Sequence, residues 1–511
     1  MERNYTLRQK IGLFSGIPLF IIICCLPSLT GMPREAHLSA AVAVLMGIFW
    51  ITEAIPIPAT SLIPLVLFPL LKIQKASDVA VSYGDRNIFL FMGGFFIAQS
   101  MQKCNLHRRI ALHIIKSIGT NKRKIVLGFM LSTAFLSMWI SNTATSLMML
   151  PIALAVVVSF EDIDKNAFGE TIHKKSTFGT ALMLGIAYSA SIGGIGTLVG
   201  TPPNLIFAAL SKTLFPKSPG ISFAYWFAVG LPVVIIMIPI AWYYLVSFGF
   251  KIKKEKVKKH YTVIDEKILE LGPMKLNEKL VLGVFIFTAL GWIFRENIEI
   301  GALKIPGWSD LLGIREYTHD SMVAIFSAIL LFLIPVNLGK REFLLDWEHA
   351  KRIPWGILIL FGGGIALASG IKESGLSNYI GESLQFFSGL NLFLIVVIVC
   401  VVAIFLTEIT SNTATTNIFM PVMASLAVFL NVHPYILMIP TTISMSLAFM
   451  LPVATPPNAI VFSSGYVEIS DMVKVGFIMN IIGCILIPLL LYFVIFPILG
   501  ISPDILPNWA V

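Results

Sequence analysis

Serines, threonines and asparagines in two repeated clusters are the groups of this sequence that offer binding chemistry. SNTATS occupies 141–146 and SNTATT occupies 411–416, while TPPN stands at 201–204 and again at 455–458. Their hydroxyls and amides supply oxygen acceptors together with O–H and N–H donors. Oxygens suit a hard cation such as sodium, and donors at the positive start of a helix suit a carboxylate. Thr-Pro-Pro also breaks a helix, because proline lacks an N–H and restricts the residue before it. The break frees carbonyls just ahead of it, at Gly200 and Ala454. Gly193, Gly194, Gly196 and Gly200 loosen the first break further, yet Val199 takes the place of the last glycine of a GxGxxG nucleotide fingerprint.

A single Ser/Thr/Asn cluster in a membrane helix is ordinarily interhelical glue. Recurrence in register argues for more. Ser141 and Ser411 are 411 − 141 = 270 residues apart, and the same offset joins Phe91 to Phe361, Gly93 and Gly94 to Gly363 and Gly364, Ala98 to Ala368, Leu106 to Leu376, and Pro151 to Pro421. The two TPPN sequences are 254 apart, so one gap of 16 in the hydrophilic loop around 161–175 aligns both halves.

Composition places these clusters on membrane helices. Apolar residues make up 56% of the 511 positions and charged residues 13%, and mean hydropathy is +0.85; a soluble domain carries about a quarter charged residues. Long apolar runs at 11–27, 231–249, 280–294, 321–336 and 477–499 match the length of a bilayer core. The pattern predicts an all-α polytopic membrane protein of about eleven spans, near 10–27, 37–52, 59–71, 86–102, 177–211, 222–249, 278–295, 319–336, 354–371, 436–464 and 472–499. Two further stretches, 124–159 and 390–430, carry a polar cluster midway and then Pro151 or Pro421. They read as re-entrant hairpins, since non-helical backbone at that depth must be buried in protein or line a watery cavity.

Charge sets the orientation. Nine lysines fall within 251–279 and seven Lys/Arg within 103–124, whereas the last eleven residues hold neither. The positive-inside rule places both basic segments and the N-terminus in the cytoplasm and the C-terminus outside. The net charge of +9 therefore reflects topology rather than nucleic-acid binding, although 251–260 could also hold anionic lipid headgroups. The basic 103–124 before the first hairpin, against a single Lys372 in 372–390 before the second, turns the halves opposite ways. Inverted repeats with broken helices at the midplane define a secondary-transporter architecture. The N-terminal Arg3, Arg8 and Lys10 ahead of an apolar run imitate a signal peptide, but an uncleaved first helix is the better reading. The five cysteines form no CxxC and read as apolar fillers.

Neither cluster contains Arg or Lys to neutralise a dianion. Glu408, three residues before Ser411, has Met138 as its repeat partner and stands either as a functional acid or as a backbone acceptor at the hairpin. Burying a dianion without counter-charge is prohibitively costly. Co-bound sodium, one ion beside each SNT, meets that cost, and two symmetric half-sites match a substrate with two similar ends.

The paired SNTAT and TPPN, with SMWISNTAT at 137–145, TEAIPIPAT at 52–60 and NLHRRIAL at 105–112, resemble the divalent anion/sodium symporter family, which includes sodium–dicarboxylate and sodium–citrate cotransporters. The resemblance covers nearly the whole chain. It implies a substrate site of Ser141, Asn142, Thr143, Ser411, Asn412, Thr413, Thr201, Thr455 and Pro456. It implies one sodium at Ser137, Ser141, Asn142 and Gly200, and a second at Thr407, Ser411, Asn412 and Ala454. It further implies a homodimer in the inner or plasma membrane, working by an elevator motion. Scaffold segments 1–122 and 280–389 would each end in an in-plane helix, near 105–118 and 374–388. Transport-domain halves would be 123–250 and 390–511, with a basic cytoplasmic loop at 251–279. The expected activity is sodium-coupled uptake of C4-dicarboxylates such as succinate, fumarate and malate, with sodium as the only cofactor.

Carriers of citrate, sulfate or phosphate share this architecture, and a dicarboxylate exchanger would share it too. A pump or antiporter for oxyanions or protons would want acids or an Arg pair at the midplane, where only Glu408 stands near the motifs. HExxH and GxSxG are absent and the eight histidines form no ligand spacing, so no enzyme is expected.

Overall fold

Long apolar runs become long helices, because a backbone in hydrocarbon has to satisfy its own hydrogen bonds. The computed structural model describes residues 5–119, 121–168, 176–253, 261–300 and 303–510. It is almost wholly helical, with two short antiparallel strand pairs, Ile298–Ile300 with Leu303–Ile305 and Pro335–Asn337 with Glu342–Phe343. Among the described residues, seven helices are long and apolar enough to cross a membrane: Leu7–Cys25, Arg34–Thr52, Asn142–Phe160, Phe223–Gly249, Leu276–Ile293, Trp355–Glu373 and Ile469–Ile498.

Several expected spans are interrupted. The 177–211 stretch is two helices, Thr177–Gly194 and Pro202–Leu214, and 436–464 is Tyr435–Ser444 followed by Pro456–Phe462. The 59–71 stretch divides into Ile57–Thr60 and Ile63–Leu70, each with a proline in its first turn, where the missing N–H costs nothing. At the SNT clusters the chain also breaks, between Lys122–Ser137 and Asn142–Phe168 and between Leu392–Thr407 and Asn412–Phe429. Each leading arm has 16 residues, about 24 Å of helix, which falls short of a hydrocarbon core of about 30 Å. Much of the 251–260 basic cluster and of the 161–175 loop lies outside the described residues.

Contacts follow the repeat. Phe91 and Phe361, 270 apart, meet edge to face with ring centroids 5.0 Å apart. A Cβ on Gly93 would lie 2.6–2.8 Å from Ala324, and one on Gly363 would strike the main chain of Ser61, so each glycine admits the close approach of a neighbouring segment. The short helices Leu106–Ile118 and Leu376–Ser383 both begin from a left-handed residue, Asn105 (φ 60°) and Gly375 (φ 77°), again 270 apart. Leu106–Ile118 is amphipathic, burying Leu106, Ala111, Leu112 and Ile115. Its charged side is joined to the chain after 260 by Lys116–Asp265 (2.6 Å), Arg108–Glu270 (3.5 Å) and Arg109–Glu278 (3.0 Å). Part of the 251–279 loop is thus a helix, Tyr261–Leu271, whose Asp265 and Glu270 face Lys116 and Arg108.

Candidate functional site

All four broken helices begin at one cavity. Asn142–Phe168, Pro202–Leu214, Asn412–Phe429 and Pro456–Phe462 start at the SNT and TPP sequences. Thr201 and Thr455 are extended N-cap residues with proline in the following turn. Thr455 accepts from the N–H of Asn458 at 3.3 Å, and the Ser141 hydroxyl accepts from the N–H of Ala144 at 3.3 Å. The cavity is about 530 Å³, within the usual range for small-molecule sites. Ser141, Asn142, Thr143, Gly200 and Thr201 line one side, and Ser411, Asn412, Thr413, Ala454, Thr455 and Pro456 line the other. Phe91, Phe95, Ile57 and Ile357 close it with apolar surface.

Ser137 and Thr407 are fully buried behind the clusters. Ser137 Oγ lies 2.6 Å from Asn142 Oδ1 and 2.7 Å from the carbonyl of Ala190. Thr407 Oγ1 lies 2.6 Å from Asn412 Oδ1 and 3.1 Å from the carbonyl of Met445. In each half one hydroxyl proton faces two acceptor oxygens, a surplus of acceptors that suits a bound cation. Gly194 makes room for this cluster: a Cβ there would stand 2.7 Å from Asn142 Oδ1.

Two contributions escaped the sequence reading, and a third, Glu408, stands there between two roles. The asparagines that end the TPPN motifs are fully buried staples: Asn204 Nδ2 donates to the carbonyls of Gly194 (3.0 Å) and Thr197 (2.7 Å), and Asn458 Nδ2 donates to those of Ala448 (3.1 Å) and Leu451 (3.0 Å). The two pairs of acceptors are related by the 254 offset. Arg8 and Glu53 line the cavity at the end where the first helix starts, with Arg8 donating to the carbonyl of Ile51. Glu408 accepts hydrogen bonds from main-chain N–H groups at the second break.

Apolar spanning helices, paired breaks and a polar cavity between them define a membrane-embedded transporter. The chain matches the family described as the sodium:sulfate symporter transmembrane region over residues 8–501, and it belongs to that family. It is 42% identical over 503 residues to the sodium-dependent dicarboxylate transporter SdcS of Staphylococcus saprophyticus, covering 98% of this chain and 94% of that protein. The SdcS of Staphylococcus aureus is 43% identical over 502 residues, with the same coverage. Among solved structures, the Alcanivorax borkumensis YdaH transporter aligns with a TM-score of 0.54 at 12% identity, over 90% of this chain and 99% of its own. Neisseria gonorrhoeae MtrF aligns at 0.53 and 13% identity, over 90% and 95%. These two show a shared fold.

Proposed function

We propose that the protein is a secondary active transporter that carries C4-dicarboxylates, such as succinate, fumarate and malate, into the cell with co-transported sodium. The observation that carries this reading is the cavity lined by both SNT–TPP pairs. A dicarboxylate has two like ends, and each half of the cavity offers the same hydroxyls and amide. The three longer helices starting there each present roughly half a positive charge, which favours an anion but falls short of balancing two carboxylates. Sodium supplies the remainder, one ion at Ser137, Ser141, Asn142 and Gly200 and one at Thr407, Ser411, Asn412 and Ala454. The full-length relatives named as sodium-dependent dicarboxylate transporters support the same substrate and the same coupling ion.

The substrate carboxylates would engage Ser141, Asn142 and Thr143 on one side and Ser411, Asn412 and Thr413 on the other, with Thr201, Thr455 and Pro456 completing the walls. Without sodium, the dianion meets a surplus of acceptors and binds weakly, which is the physical basis of coupling. Transport would move 123–250 and 390–511 against 1–122 and 280–389, in a homodimer in the cell membrane with the N-terminus in the cytoplasm. The short helices after Asn105 and Gly375 would join the moving parts to the fixed ones.

Ligand-induced thermal stabilisation of the purified protein tests the reading. Succinate is expected to raise the unfolding temperature in sodium but not in potassium, and citrate and sulfate are expected to compete poorly. Stabilisation by sulfate or citrate with none by succinate would move the assignment to those anions, the first of which the family description names.

A further inference from the structure

The two breaks differ at one set of residues related by the repeat. In the first half the Thr197 hydroxyl donates to the carbonyl of Met138, and the Trp226 indole donates to that of Ile195 at 2.9 Å. The N–H groups of that break bond locally, Ile195 to the carbonyl of Ile192 (3.1 Å) and Gly196 to that of Gly193 (2.9 Å). The offsets of 270 and 254 map Met138 onto Glu408, Ile195 onto Phe449, Thr197 onto Leu451 and Trp226 onto Asn480. Every one of these second-half residues meets the Glu408 carboxylate. Oε1 accepts from Phe449 N (2.7 Å), Met450 N (2.9 Å) and Asn480 Nδ2 (2.7 Å), and Oε2 accepts from Leu451 N (3.2 Å).

Glu408 and Asn480 are buried, at 3% and 0% exposure. All four partners are donors, and three are consecutive main-chain N–H groups, a concave nest of the kind that holds anions. An acceptor-only carboxylate completes it. The preceding residue, Thr407, holds its hydroxyl 2.6 Å from Asn412 Oδ1.

We propose that Glu408 is the positioning residue of the second half: it holds the break at 449–451, which leads three residues on to the carbonyl of Ala454, and so makes the second sodium site the tighter of two unequal sites. This rests on the sodium-coupled reading above. Charge-assisted hydrogen bonds are roughly twice as strong as neutral ones, and the first half, with Met138 in this place, has no charged counterpart.

The test is a sodium titration of the purified protein without substrate, read as the rise in unfolding temperature. E408Q keeps the volume but turns two new N–H donors toward donors. It is expected to raise the sodium half-saturation by about tenfold, the loss of one charge-assisted interaction. T197V, which removes the related uncharged bond, is expected to shift it by less than about threefold. N480A keeps the carboxylate and removes one donor, and is expected to fall between them. A role in global stability alone, with no hold on the shape of the break, would lower the unfolding temperature in potassium and leave the sodium midpoint in place. E408Q titrating like wild type, or E408Q and T197V shifting alike, would overturn the inference. If E408Q does not fold, N480A decides, and an unmoved sodium midpoint overturns it. Wild-type protein insensitive to sodium would defeat the coupled reading itself, which separates the two failures.

Discussion

The TPPN asparagines give the sharpest quantitative expectation. Asn458→Ala removes two buried donors from the carbonyls of Ala448 and Leu451, and Asn204→Ala removes the matching pair from Gly194 and Thr197. A buried hydrogen bond contributes about 0.5–1.5 kcal/mol net, and interhelical polar bonds in membranes average about 0.6 kcal/mol. Two bonds therefore put each loss at about 1–3 kcal/mol. Both side chains lie outside the cavity lining, so this energy acts through the shape of the break and not through a lost ligand. If the break presents the carbonyls of Gly200 and Ala454 to sodium, the loss appears as a sodium half-saturation raised by about 5- to 150-fold. The assay is succinate uptake into proteoliposomes across a range of sodium concentrations, with the amount of folded, inserted protein measured alongside. Aspartate at the same positions removes the donors at nearly constant volume and is expected to be no better than alanine. Sodium half-saturation within about twofold of wild type for both N204A and N458A, in folded protein, would refute the reasoning.

Other expectations follow from the same geometry. Asn142→Ala and Asn412→Ala are each expected to abolish uptake while leaving expression and folding intact; wild-type uptake in both would reduce the SNT clusters to interhelical glue. Asp320 accepts from Arg295 Nε (2.5 Å) and from the N–H of Phe223 (2.7 Å) with no exposure to solvent. Removing it leaves the buried Arg295 guanidinium with Glu296 (2.6 Å) as its remaining carboxylate partner, so D320A is expected to cost about 3 kcal/mol, the low end for a broken buried pair, with R295A/D320A recovering part of it; unchanged thermal unfolding of D320A would contradict this. His433, in the loop before Tyr435, packs against Trp509 with ring centroids 5.3 Å apart, and burial holds its pKa down to about 4 from 6.5. A depressed folded value means that its contribution is fully present above pH 6.5 and lost as pH falls through about 4. Trp509 emission is expected to change across that window in wild type and not in H433Q, and identical profiles would remove His433 from the effect.

The repeat was legible because its residues are chemically uncommon in a membrane and recur at fixed offsets, 270 before the variable loop and 254 after it. That was enough to point to the breaks and to the clusters that line the cavity. Hydropathy could not see the interruption at Ser61 and Leu62, since the prolines at 58 and 64 sit in a stretch as apolar as any span. The helix Tyr261–Leu271 was hidden in a lysine-rich loop because its acids are matched in space by Arg108 and Lys116, more than a hundred residues away. Arg8 read as a topogenic charge, and nothing local to it announces a place beside the cavity. Glu408 stood out as an intramembrane acid, but whether it faced a ligand or the backbone depended on where 449–451 and Asn480 fold, which spacing does not encode.

Radiolabelled succinate uptake into proteoliposomes under an inward sodium gradient, set against an equal potassium gradient, decides whether this protein is a sodium-coupled carrier. Accumulation is expected with sodium alone. Equal uptake in both, or exchange against internal succinate without sodium, would contradict it.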